Sequence, residues 1–123
     1  MLIDSNIVIY ASKPEHAGLR QFIAEHTPAV SAVSYVEVLG YHKLTESERQ
    51  DLEAFFAAAS ILPLSDAVLD QAVQLRQHKK MTLGDSLVAA TALVHRLTLV
   101  TRNTDDFDWI DGLTLLNPFE SAS

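Results

Sequence analysis

Short apolar runs alternating with longer stretches of helical spacing constrain this chain more than any other feature. Residues 2–4, 28–33, 60–64, 97–101 and 113–116 are brief, dominated by Leu, Ile, Val and Thr, and bounded by polar or turn-forming residues. Runs of that length suit buried strands better than helices. Helical patterns fill the intervals, and strands that alternate with helices build an α/β domain around a mainly parallel sheet, here of about five strands. The 123 residues suit one domain with a single core, residues 1–123.

The helix signals are explicit. Asp4 or Ser5 can cap a short helix over residues 6–11. Pro14-Glu15 opens a second, with Leu19, Phe22 and Ile23 on one face. Ser34 is expected to cap a third that carries Val36, Glu37 and Leu39 and stops near Gly40. Thr45-Glu46-Ser47-Glu48 has the form of a capping box. Ser65-Asp66 starts a helix that runs toward His78-Lys79-Lys80. Residues 87–95 are apolar nearly all round, which predicts a buried helix.

Composition closes off several classes. With no cysteine, disulfides and thiolate zinc sites are excluded, and a reducing cytoplasm is the expected compartment. The start lacks the basic-then-apolar form of a signal peptide, and no apolar run is long enough for a bilayer. A net charge of −7 argues against binding nucleic acid by bulk electrostatics, so direct DNA binding is not expected. It leaves room for an enzyme that meets RNA through metal ions and a local basic rim, drawn from residues such as Lys13, Lys43, Lys79, Lys80 and Arg102.

Acidic residues stand where the predicted strands end or the buried helices begin. Asp4 closes the first strand, Glu37 lies between Val36 and Val38, Asp85 precedes the most apolar helix, and Asp105-Asp106 follow the fourth strand. Carboxylates in apolar settings cost free energy unless something neutralises them. If the fold gathers them, a hard divalent cation is the natural partner, and metal-assisted attack on a phosphodiester is the natural chemistry. Each has a plainer role open to it: Asp4 as a helix cap, Glu37 as a solvent-facing residue, Asp85 as a first-turn acid, Asp105, Asp106, Asp108 and Asp111 as a solvated turn. Asn6, Ser5, Thr101 and Asn103 offer neutral oxygens beside the same strand ends.

Competing chemistries find less support. The five histidines have no zinc-type pairing, Ser86 has no local histidine for a triad, and the four glycines are too isolated for a phosphate-cradling loop. An aspartyl-phosphate mechanism at Asp4 would want a second acid close by and a lysine after the fourth strand, and neither is present.

Met1-Leu2-Ile3-Asp4-Ser5-Asn6, Ser34-Tyr35-Val36-Glu37, Gly84-Asp85-Ser86-Leu87-Val88-Ala89-Ala90-Thr91-Ala92, Leu99-Val100-Thr101-Arg102-Asn103-Thr104-Asp105-Asp106-Phe107 and Leu116-Asn117-Pro118-Phe119 occur in that order. Together they resemble PIN-domain proteins, and more closely the VapC-type toxin ribonucleases of type II toxin–antitoxin systems, over essentially the whole length. The resemblance implies a PIN-like, Rossmann-like three-layer fold with acids at the carboxyl edge of the sheet. It implies an endoribonuclease dependent on Mg²⁺ or Mn²⁺, an RNA substrate, a homodimer and a cognate antitoxin. Asp4, Glu37 and Asp85 match the family's first three acidic positions. Where many members carry a fourth aspartate two residues after the threonine, this chain has Asn103, so Asp106 or Asp105 would supply that charge. On this reading Asp4, Glu37, Asp85 and Asp106 are catalytic, Asp4 and Asp85 are the metal ligands, and Ser5, Asn6, Thr101, Asn103 and Asp105 support them. A PIN-like binding module without activity is the alternative.

Overall fold

The computed structural model describes residues 1–120. The order is β1 (Leu2–Ile3), α1 (Ser5–Ala11), α2 (Ala17–His26), β2 (Ala29–Ser31), α3 (Ala32–Leu39), α4 (Glu46–Ala58), β3 (Ile61–Leu62), α5 (Asp66–His78), α6 (Leu83–His95), β4 (Leu99–Val100) and β5 (Leu115–Leu116), with a 3₁₀ turn over Thr104–Asp106. The five strands form one sheet in the order β3-β2-β1-β4-β5, and every pairing is parallel.

Successive strand residues point to opposite faces, and this divides the core in two. Leu2 and Leu99 face a cluster built with Val68, Ala72 and Leu75 of α5 and the apolar side of α6. Ile3 and Val100 face a second cluster with Ile7 and Val8 of α1, Leu19 of α2 and Leu52 and Phe56 of α4. The result is helices, sheet, helices. Residues Ser86 to Ala92 of α6 are buried without a break, as the all-round apolar pattern predicts. The buried side-chain polar atoms described all find a hydrogen-bond partner. Among the described residues no helix is long and apolar enough to cross a membrane.

Several boundaries differ from the sequence expectation. The second strand ends at Ser31 rather than continuing to Val33, and Ser31, not Ser34, caps α3 by accepting from the Val33 N–H at 3.3 Å. The apolar pair Ala32-Val33 reads as strand, yet its Val33 belongs to a helix that packs into the first core cluster. Helix α2 begins at Ala17, leaving Pro14-Glu15 in the preceding turn. Helix α6 begins a full turn before residue 87, because Thr82 accepts from the Asp85 N–H at 3.1 Å and caps it there. The capping box at Thr45 and Glu48 and the Ser65 cap of α5 form as expected.

Candidate active site

The strand order reverses at β1: from there the chain builds β2 and β3 on one side, and β4 and β5 on the other. Open α/β sheets bind ligands beyond the carboxyl ends of the strands at such a switch point. Asp4 stands there. Its N–H donates to Val100 O of β4 at 3.2 Å, and its Oδ1 accepts from the Ile7 N–H at 2.9 Å, so it also caps α1. Only 7% of its surface is exposed. The Thr101 hydroxyl, at the end of β4, donates to the same carboxyl. Thr101 in turn accepts from the Asn103 N–H at 3.2 Å, which folds the loop after β4 back toward the strand end.

Burial raises the pKa of Asp4. The hydrogen bonds from Thr101 and Ile7 oppose that rise, and the nearby charges of Asp85 and Glu37 add to it. Asp85, half-buried in the first turn of α6, is raised for the same first reason: burial. The Thr82 hydrogen bond opposes the rise, while Asp106 and Glu37 reinforce it. These interactions place Asp4, Glu37, Asp85 and Asp106 in one electrostatic neighbourhood although they come from four separate segments.

Glu37 reaches this neighbourhood from α3, which packs between α1 and α6. It is exposed, as its plainest reading predicts, but it is not free: Ser5 Oγ donates to its Oε1 at 2.6 Å. Ser5 Oγ also lies 2.9 Å from the Oγ of buried Ser34. The other carboxylate oxygen rests against Gly84, where a Cβ would stand 2.2 Å from Oε2. Gly84 is therefore the clearance that lets Glu37 approach α6. In the sequence Gly84 is too isolated for a phosphate-cradling loop and opens the Gly84-Asp85-Ser86 segment, with no role of its own. Its signal was a glycine in the first turn of an otherwise strong helix, beside an acid.

The supporting residues divide. Ser5 and Thr101 bond directly to the acids. Asn103 joins through its backbone, and its amide is exposed. Asn6 and Asp105 are exposed and form no hydrogen bond to the four carboxylates. Asp106 is positioned by its backbone, where its carbonyl accepts from Trp109 Nε1 at 3.0 Å. Of the expected basic rim, Lys13 is engaged by Glu48, Lys79 lies over the Trp109 ring at 5.6 Å, and Arg102 lies over Tyr10 and Phe119.

The donor set is carboxylate and hydroxyl oxygen, without sulfur or imidazole, which suits a hard divalent cation. Acids whose pKa values are raised by burial and by one another's charge gain most from such a cation. Among the described residues no three His, Cys, Asp or Glu side chains stand as a finished chelating cluster. The acids are neighbours that feel each other's charge rather than a closed coordination shell.

Comparison with known proteins agrees in scope. The PIN domain family model matches residues 1–113. Ribonuclease VapC10 of Mycobacterium tuberculosis is 27% identical over 121 residues, covering 92% of this chain and 90% of that protein. A toxin–antitoxin complex from Klebsiella pneumoniae contains a chain 32% identical, with a TM-score of 0.77 and coverage of 95% and 96%. VapBC2 from Rickettsia felis, bound to a DNA fragment from its promoter, is 23% identical with a TM-score of 0.81 over 94% of this chain and 96% of that one; at that identity the likeness speaks for the fold.

Proposed function

This chain belongs to the PIN-domain family, and from that premise we propose that it is the endoribonuclease toxin of a toxin–antitoxin pair, hydrolysing RNA phosphodiester bonds with Mg²⁺ or Mn²⁺. The observation that carries the reading is the convergence of Asp4, Glu37, Asp85 and Asp106 at the β1–β4 switch point, where burial and mutual repulsion keep Asp4 and Asp85 reluctant to ionise.

Asp4 and Asp85 would hold the ion, with Asp106 completing the acidic wall. When bound, the cation supplies a water acidified for attack and charge stabilisation at the phosphate. Thr101 and the Ile7 N–H both hydrogen-bond the Asp4 carboxyl and so restrict its orientation. Ser5 anchors one oxygen of Glu37, and Gly84 gives the other room beside Asp85. Glu37 is thus placed to accept the proton of an attacking water. In-line attack leaves a 5′-phosphate and a 3′-hydroxyl. Asn103 lends its backbone, rather than its amide, to the arrangement.

The same proposal includes a homodimer and an inhibitory antitoxin. Tyr35 and Val36 on α3 and Leu69 and Val73 on α5 are exposed apolar side chains that such partners would cover.

The test is purified antitoxin-free protein on total cellular RNA with Mg²⁺ or Mn²⁺, with chelator, and with Asp4→Asn alongside. Discrete cuts bearing 5′-phosphates, lost with chelator and in the variant, are expected. A folded protein that cuts nothing with either ion and binds neither would overturn the reading in favour of an inactive binding module.

A further inference from the structure

We propose that Arg102 grips an RNA phosphate flanking the scissile one, held ready by a platform of aromatic rings; the inference rests on the ribonuclease reading. Arg102 directly follows Thr101, the residue whose hydroxyl bonds Asp4, so its backbone sits at the edge where the acids gather. That backbone is fixed: Asn117 Nδ2 donates to Arg102 O at 3.2 Å, tying the end of β4 to the end of β5. The guanidinium carbon lies 4.6 Å from the centre of the Phe119 ring and 5.4 Å from that of Tyr10. Those rings meet edge-to-face at 5.8 Å, and both meet His16, at 5.7 Å from Tyr10 and 5.5 Å from Phe119. Three mutually packed rings make a stiffer support than one.

The guanidinium carbon lies over both rings, and the N–H donors have no acceptor among the described residues. That is unusual in a chain of net charge −7 with four carboxylates near the same sheet edge. The one ion pair among the described residues is Lys13–Glu48, and it does not involve Arg102. Stacking consumes the face of a guanidinium and leaves its edge, a planar fork of donors that matches a phosphate. Preorganisation matters here, because a free arginine would lose rotamer entropy on gripping the ligand. Four acids repel RNA, and a fixed cation beside them supplies a local attraction that the net charge does not.

Steady-state cleavage of a short single-stranded RNA spanning a mapped cut site tests this, comparing the parent with Arg102→Gln, Arg102→Lys and Tyr10→Leu. For Arg102→Gln we expect KM to rise about tenfold, as for loss of a charge-assisted hydrogen bond, with kcat changed by no more than about twofold. The slope of log kcat/KM against log salt should flatten by about 0.7, the value for one phosphate contact on a single strand. Arg102→Lys should restore the slope but only part of KM, because an ammonium lacks the fork. Tyr10→Leu should raise KM with the slope intact, since the charge stays and its support goes. Unchanged KM and slope in a folded Arg102→Gln protein would overturn the proposal, as would a lowered Tm with RNA kinetics untouched, which marks a purely structural stack. Weakened inhibition by antitoxin with unchanged RNA kinetics would reassign the residue to a protein contact. A parent protein that cuts no RNA sinks the ribonuclease reading itself, so the two failures are distinct.

Discussion

Asp4 and Glu48 each close the first turn of a helix, one from the cap and one from the third helical position, and behave oppositely. Each carboxylate accepts a backbone N–H at the start of a helix, Asp4 from Ile7 and Glu48 from Thr45. Glu48 also accepts from Lys13, whose ammonium, ahead of the Thr45 bond, pulls its pKa down to about 2. Asp4 has no cationic partner among the described residues; burial pushes its pKa up and two neighbouring carboxylates push further. A helix start alone therefore does not set the protonation of an acid. On the α1–α4 side the fold provides the counter-charge because the carboxylate is structural. At the β1–β4 edge the described residues provide none, and the charge of Asp4 stays uncompensated.

The largest expected effect breaks the comparison at its acidic end. Asp4→Asn and Asp85→Asn should abolish cleavage in the assay of mapped cuts. Asn caps a helix about as well as Asp, so the Asp4 change removes charge while keeping the cap. In chelator both variants should melt above the parent at neutral pH. A lower melting temperature would mean the carboxylates are not the strained groups described.

Titration sharpens the contrast. Asp4 and Asp85 have folded pKa values above the unfolded ones, so the folded state binds more protons between the two values and stability falls as pH rises through that window. Glu48 is lowered, so its contribution is present above the unfolded pKa and is lost as pH falls toward about 2. Chelated protein should therefore lose stability on going from about pH 4 toward neutrality, and a saturating divalent ion should remove most of that loss. Thermal melts across pH, with and without Mg²⁺, check both slopes.

Gly84→Ala is a finer probe. The added methyl meets a movable carboxylate, so the fold should tolerate it, and Ala is favoured over Gly within helices by up to about 1 kcal/mol. Turnover should drop by about tenfold or more, because Glu37 is displaced from its place beside Asp85. A variant more stable yet slower is the expected signature; unchanged kcat would remove Glu37 from the chemistry. The smallest effect belongs to Lys13→Met. It should leave cleavage unchanged and raise the titration of Glu48 part of the way to its ordinary value, since the Thr45 bonds remain, followed by carboxyl NMR shifts.

Much of this was legible in the residues. The five strands and their alternation with helices follow from apolar runs and turn signals, and the burial of α6 follows from its all-round pattern. Asp4 and Asp85 stood out as candidates at predicted element ends, and Glu37 by its apolar neighbours Val36 and Val38. Strand order was not legible, since it is set by how α1 and α6 cover opposite faces. Nor were the pairings across long separations: Ser5 to Glu37, Thr101 to Asp4, or Tyr10 and His16 to Phe119. Local propensity misplaced the start of α3 because Ala32-Val33 suits strand or helix equally, and tertiary packing decided. Tyr10 carried no sign of a ring platform, because its partners lie in other segments.

The central strand is also the first to be made. Leu2 and Ile3 pair with Leu99 and Val100, and the Asp4 N–H finds its acceptor in Val100. During vectorial synthesis the N-terminal half can gather its helices and β2 around β1, yet one flank of β1 stays vacant until Leu99 and Val100 of β4 leave the ribosome. Asp4, Glu37 and Asp85 all precede β4, but Thr101 and Asp106 do not. The acidic edge is thus completed late, only once β4 has paired with β1.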